Sequence, residues 1–414
     1  MKRYGEEFKA GARSEPEGNV TPVFPKREVL RDRTAESRSV ERGAFDLPFF
    51  LLTILILAIG VVMVLSASFA RAYYGKLNNA TYYFVRQLFF AVSGVGLMMV
   101  ASHVTPTFLR RISMPFLLAT LVLLALVPII GTGGDEVGAT RWLDLGFTTF
   151  QPSEFAKLAV ILSFSTMICV YKDQMKTFKY GVLPFGIIIV VIVGLLILEP
   201  HLSASVIIIA LGAIMMWAGG TRWQYFAAGG AAFAGAAYFV VTKMAYASAR
   251  ITAWLDPWSD PLDSGLQTIQ SLYAIGSGGL LGLGLGRGVQ KYMYLPEEHN
   301  DFIFSIVCEE LGFIGAMLIL ILFALLIIRG YWLALHARDR FGALVITGIT
   351  SLLAIQVILN VAVVTNLVPC TGISLPFFSY GGTALWLQLV EMGIVLSISR
   401  EIPLRRKKDD GREQ

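Results

Sequence analysis

The sequence predicts an all-α polytopic membrane protein with about ten transmembrane helices. Three observations lead there. Of 414 residues, 55% are hydrophobic and only 15% charged, where soluble domains carry roughly a quarter charged residues. A mean hydropathy of +0.65 over that length excludes a disordered chain, which needs low hydrophobicity and high charge. The apolar residues also gather in nearly uncharged runs of about 20, long enough to cross ~30 Å of hydrocarbon. The three cysteines, Cys169, Cys308 and Cys370, are too few for a disulfide-stapled scaffold and are read as packing residues.

Residues 1–46 hold ten Lys/Arg and nine Asp/Glu without apolar periodicity and are read as a disordered cytoplasmic tail. The first apolar run, Leu47 to Ser68, starts too late and runs too long for a signal peptide. Further spans are predicted at 84–104, 115–131, 154–171, 180–198, 202–219, 223–243, 302–329, 342–364 and 382–399, so that a membrane domain fills 47–400. Of these, 115–131 and 202–219 are short. Residues 401–414 form a basic cytoplasmic tail. Ten crossings put both termini on one side. The short connections on that side hold Arg110, Arg111, Lys172, Lys176, Lys179, Arg222, Arg329, Arg338 and Arg340. With Arg400 and the two tails they collect 25 of the 34 basic residues. Both termini are therefore expected in the cytoplasm, because positive loops stay inside. The net charge of +5 is then a collar that sets topology and meets anionic membrane lipid. It is not a nucleic-acid surface, because no basic patch is interleaved with aromatics.

With the sides assigned, one connection stands apart. Residues 244–300 form a large extracytoplasmic loop before the eighth helix, and loops of that length are usually functional. It carries Arg250, Trp254, Asp256, Gln267 and Gln270, then the glycine run Gly276 to Gly286, Arg287 and Lys291. The run is not a nucleotide loop, since no strand precedes it and no Walker lysine follows. Close backbone packing or a re-entrant turn is one reading; a backbone nest for a lipid diphosphate is the other. The loop ends at Asp301, where a helix begins. A carboxylate there can cap the helix, with Asn300 sharing that role, or it can do chemistry. Glu309 and Glu310 follow inside the apolar stretch, where carboxylates are costly and are expected to face the protein interior with partners. On the same side lie Arg141-Trp-Leu-Asp144, Gln151-Pro-Ser-Glu154-Phe-Ala-Lys157, Glu199-Pro-His201, and Pro369 to Gly382 with Ser379. Glu154 and Lys157 are spaced for an ion pair on a helix start. Backbone as irregular as 369–382 at membrane depth needs protein or a water-filled cavity around it. All these polar breaks on one face predict a polar cavity opening outward.

The motifs resemble the SEDS family (shape, elongation, division and sporulation) over roughly residues 45–400. The carriers are Gly138-Ala-Thr-Arg-Trp-Leu-Asp-Leu145, Gln151 to Lys157, Arg250-Ile-Thr-Ala-Trp-Leu-Asp-Pro257, Gln270 to Gly276, Leu295-Pro-Glu-Glu-His-Asn-Asp-Phe-Ile-Phe304 and Pro369 to Gly382. The resemblance implies a SEDS-type fold and a peptidoglycan glycosyltransferase that polymerises lipid II at the outer face of the cytoplasmic membrane. It implies a class B penicillin-binding transpeptidase and other divisome proteins as partners. The division branch is the nearest, with elongation and sporulation members close behind. Asp301 matches the family's catalytic aspartate and takes the role of base, its pKa raised by partial burial. Arg141, Lys157, Arg250, Arg287 and Lys291 are candidates to meet the leaving diphosphate. Gln270 and Ser379 are further substrate-binding candidates. No dedicated cofactor or metal site is expected, although a divalent cation could ride on the lipid diphosphate. One motif departs: the family's usual Gln-Pro-Asp-Leu-Gly-Thr is here Glu199-Pro-His-Leu-Ser-Ala204, so no role passes to the missing Asp. The competing class of function is a lipid II flippase, which needs no base.

Overall fold

The computed structural model describes residues 43–75, 78–132, 141–144, 146, 149–199, 201–243 and 245–402. The predicted tails up to 42 and from 403 lie outside the described residues, as do 138–140, Leu145 and Pro200 of the motifs.

The chain is an all-α bundle. Its helices are α1 (Leu47–Tyr74), α2 (Tyr82–Ala101), α3 (Pro106–Ile130), α4 (Pro152–Tyr171), α5 (Leu183–Leu198), α6 (Leu202–Gly219) and α7 (Trp223–Lys243). Then come α8 (Ala245–Leu255), α9 (Leu266–Gly278), α10 (Ile303–His336), α11 (Arg340–Val364) and α12 (Gly382–Ser399). Among the described residues, nine helical segments are long and apolar enough to cross a membrane. The other predicted span, 223–243, is α7, a helix of 21 residues. At ~1.5 Å per residue that is also about the thickness of the hydrocarbon core.

The differences from the predicted bounds have local causes. The short run 115–131 is the apolar part of α3, which starts earlier at Pro106, with Thr105 accepting the Phe108 N–H as its cap. Pro106 fits a first helical turn, whose N–H groups have no intrahelical partner. At the far end α10 runs on to His336 because Arg329 is held in place: it pairs with Asp46 at 2.5 Å and stacks on Trp332 at 4.1 Å. Asp46, predicted to end the tail, caps α1 through the Phe49 N–H. The Asp46–Arg329 pair marks the end of the bundle opposite Asp301, which lies 28 residues before Arg329 in the chain.

The most enclosed span is α4, buried on nearly every side from Ala156 to Cys169. Around it the polar end of the bundle is built. A two-stranded antiparallel hairpin, β1 (Leu143–Asp144) and β2 (Thr149–Phe150), sits between α3 and α4 and is tied to α12 by Thr383 Oγ1 on the Thr149 carbonyl at 3.1 Å. Its first arm carries Arg141. The predicted large loop is partly helical, containing α8, the single turn Pro257–Ser259 and α9.

Candidate functional site

Asp301 sits in the turn before α10, half-buried. The helix is not capped by it: the cap position is Phe302, and no side chain accepts there. Asn300 does not cap either, because its Nδ2 donates to Glu297 Oε2 at 2.6 Å. The turn is instead fixed by four consecutive residues. Glu298 is fully buried and takes two bonds from Arg71, each 2.8 Å. The His299 carbonyl accepts the Tyr380 N–H at 2.9 Å. Ser379 Oγ donates to the Asn300 carbonyl at 2.8 Å, and buried Asn360 donates to the Asp301 carbonyl at 2.8 Å and to that of Ile373 at 2.7 Å. The backbone of Asp301 is thereby locked, while its carboxyl accepts no hydrogen bond among the described residues.

The irregular stretch 369–382 forms the opposite wall. Gly372 has φ +66°, and a Cβ there would stand 2.9 Å from Asp301 Oδ2. Only a glycine lets the backbone approach the carboxyl so closely in that conformation. The stretch is fastened by Ser203 and by Arg250, which donate to the carbonyls of Thr371 and Cys370. Trp254 Nε1 donates to the Asn366 carbonyl at 3.1 Å, so α8 is tied to the same wall.

The electrostatics follow from this enclosure. Burial, reinforced by Glu297, raises the Asp301 carboxyl to about 6, while Arg141 and Arg250 pull it back. Arg141 acts electrostatically on a second acid as well. Glu199, at the end of α5, has no exposed surface; burial raises its carboxyl to about 8 against the pull of Arg141. His201 is driven down to about 3 by burial, with Arg141 and Lys157 adding to the effect, so it is neutral. Lys157, 3% exposed, pairs with Glu154 at 2.7 Å, the ion pair that their spacing predicts.

Five predicted residues therefore belong to this end of the bundle: Asp301, Arg141, Arg250, Lys157 and Ser379. Ser379 acts on the turn through its bonds to Asn300 and Leu375. Gln270 lies on α9, one turn beyond Gln267, which accepts from Cys370 Sγ at 3.4 Å. Two predicted residues go elsewhere. Lys291 is buried in an ion pair with Glu310 at 2.7 Å, with Ser66 3.3 Å away. Arg287 is exposed beside Gly284 on the glycine run. Neither is among the charges that act on Asp301.

The glycine run also answers to Glu309 and Glu310. The N–H groups of Gly286 and Val289 donate to Glu310 at 3.0 Å and to Glu309 at 2.7 Å. Gly312 breaks α10 at φ +68°, and the run repairs the break: Phe313 and Ile314 donate to the Gly279 and Leu280 carbonyls at 2.9 and 3.1 Å. In return Leu283 and Gly284 donate to the carbonyls of Glu309 and Glu310 at 3.0 Å each. The nest is filled by the protein's own carboxylates, so the close-packing reading of the run holds.

Beside the hairpin lies an apolar groove of about 410 Å³ between α2, α3, α4 and α12, lined by Leu97, Leu109, Phe116, Phe155, Leu158 and Trp386.

A family model described as "Cell cycle protein", covering the FtsW, RodA and SpoVE proteins, matches residues 46–403. The chain belongs to this family. A probable peptidoglycan glycosyltransferase FtsW of Geobacter sulfurreducens is 42% identical to this SEDS protein, covering 88% of the chain and 97% of that relative. Stage V sporulation protein E of Bacillus subtilis is 41% identical over 86% of the chain and 97% of its own length. Among solved structures, a chain of a peptidoglycan synthase complex that coordinates polymerization and crosslinking superposes with a TM-score of 0.73 at 30% identity, covering 86% of this chain and 98% of that one. The rod shape determining protein RodA of Thermus thermophilus gives 0.64 at 27% identity, over 87% and 98% of the two chains.

Signals for Arg71–Glu298, Asn360 and Gly372 were present in the sequence only as unexplained polar or glycine residues. Their roles depend on contacts between segments up to 227 residues apart, which no local pattern carries.

Proposed function

We propose that this membrane protein is a peptidoglycan glycosyltransferase that polymerises lipid II, with Asp301 as the base. The observation that carries this reading is a carboxyl on a locked backbone, without a hydrogen-bond partner among the described residues, raised to about 6 and acted on by Arg141 and Arg250. A base works best with a pKa near the operating pH. Asp301 would take the proton of the acceptor's 4-hydroxyl as that oxygen bonds to the donor's anomeric carbon. The bond from that carbon to undecaprenyl diphosphate breaks with inversion, and the diphosphate leaves toward Arg141, Arg250 and Lys157. Guanidinium groups suit bidentate phosphate contact. The lipid tail fits the apolar groove beside α4.

The Asp301 end is read as extracytoplasmic, with both termini in the cytoplasm, on the strength of the basic residues at the opposite end. The septum is the place of work proposed for it, with a class B transpeptidase and other divisome proteins as partners. Any divalent cation is proposed to arrive on the diphosphate. Among the described residues, no group of three or more His, Cys, Asp and Glu could hold one.

The test is glycan product from lipid II with purified protein and its partner transpeptidase in detergent, where no second leaflet exists. Product supports the polymerase. Movement of lipid II across vesicles with no product in detergent would favour the flippase.

A further inference from the structure

The Glu199-Pro-His201 turn is where this chain departs from its family's usual motif, and the structure leaves it chemically unfinished. Both Glu199 oxygens are buried without a hydrogen-bond partner among the described residues, as is His201 Nδ1. Leaving such groups buried and unpaired costs stability, so each such case asks for a ligand, a water or an ion. The surroundings select an anion. Arg141 acts on both Glu199 and His201, and Lys157 acts on His201. The N-terminus of α6, an 18-residue helix, opens at the same turn with no side chain capping it. Two more buried hydroxyls, Ser153 Oγ and Thr371 Oγ1, also lack partners among the described residues. Ser153 precedes Lys157 by one helical turn on the same face of α4. Thr371 is held by Ser203, two residues past His201. Backbone donors at a helix start, an arginine and free hydroxyls together make a phosphate site.

We propose that the Glu199 carboxyl contacts the diphosphate of the lipid-linked substrate, donating a hydrogen bond to a phosphate oxygen beside Arg141. This rests on the polymerase reading and adds to it a residue that the family motif does not supply as an acid. A carboxylate could not do this, because it only accepts and would repel phosphate. A protonated carboxyl can, and with a pKa near 8 Glu199 is mostly protonated at neutral pH. In that form it has the shape and the donor of the glutamine that the family usually places there. The other charged groups around the turn are Arg141 from the hairpin, Lys157 with Glu154 from α4, Glu391 from α12, which acts on that pair, and Asp301, which shares Arg141.

The experiment is the pH dependence of KM for lipid II between pH 7 and 9 in the wild type, Glu199→Gln and Glu199→Ala, each with the partner transpeptidase. Wild-type KM should rise as Glu199 ionises, since a donor is lost and a negative charge appears. The Glu199→Gln amide donates at every pH, so its KM should stay flat over that range. Glu199→Ala should raise KM at pH 7 by about tenfold, more than it lowers kcat, the scale of one lost hydrogen bond to a charged group. A wild-type pH profile in Glu199→Gln, or a wild-type KM in Glu199→Ala, overturns the proposal. Binding of undecaprenyl diphosphate at pH 6.5 and 9 gives the same comparison without turnover. It tests the contact even if no glycan is made, an outcome that would sink the polymerase reading and not this one.

Discussion

Two groups of buried or half-buried polar side chains flank the start of α10, and they are built on opposite plans. The inner group, Glu309, Glu310 and Lys291, is satisfied throughout: an ion pair at 2.7 Å, backbone donors from the glycine run, and Ser66. The outer group, Asp301, Glu199, His201 and Thr371, keeps polar atoms that the described protein does not use. Both groups are costly to bury. The inner group offsets that cost within the fold, and so it is structure: it closes the break at Gly312. The outer group leaves the cost standing, which is reasonable only where a substrate completes the bonds. Satisfied polar groups at membrane depth read as architecture, and unsatisfied ones read as a site.

The contrast can be broken from either side. The largest expected effect is Asp301→Asn, which removes the base and should lower polymerisation by about 10²- to 10⁴-fold. It should not destabilise the protein. A carboxyl raised to about 6 in the folded state stabilises the fold fully only below its unfolded pKa of about 4. That contribution is lost as pH rises from about 4 through 6, so a neutral amide gives up nothing at pH 7. On the inner side, Lys291→Met strands Glu310 as an uncompensated buried charge and should cost about 3–5 kcal/mol, seen as a large drop in thermal melting. Gly372→Ala pushes a methyl group toward Asp301 Oδ2 and strains a left-handed residue. About a hundredfold loss in kcat is expected, the scale of a 1 Å misplacement, and a wild-type rate would show that the close approach does not matter. Wild-type kcat/KM should rise with pH through about 6 as Asp301 ionises, and a flat profile from pH 5 to 7 would remove it as the base. The smallest effect is Ser379→Ala, which removes one tie to Asn300 and should cost about 1 kcal/mol of stability with a rate loss of a few-fold.

Much of this contrast was legible in the residues. The spans were, because nearly uncharged runs of membrane length have few other uses. Asp301, Arg141, Arg250 and Lys157 were, because charge stands out against such a background. Their separation from Lys291 was not. Lys291 and Arg287 lie in the same loop as Arg250 and carry the same charge, and only the packing of the glycine run against Glu309 and Glu310 distinguishes them. Glu199 was visible as a departure from a motif, but its burial and its neighbour Arg141 lie 58 residues apart in the chain. Nor could periodicity show the break at Gly312, since a glycine in an apolar run is compatible with an unbroken helix.

The contrast between the two groups is tested most directly by purifying Asp301→Asn and Lys291→Met with the partner transpeptidase and measuring glycan product and thermal melting on the same preparations. The prediction is a stable, inactive Asp301→Asn and a destabilised Lys291→Met. A fully active, well-folded Asp301→Asn, or a Lys291→Met as stable as the wild type, would contradict it.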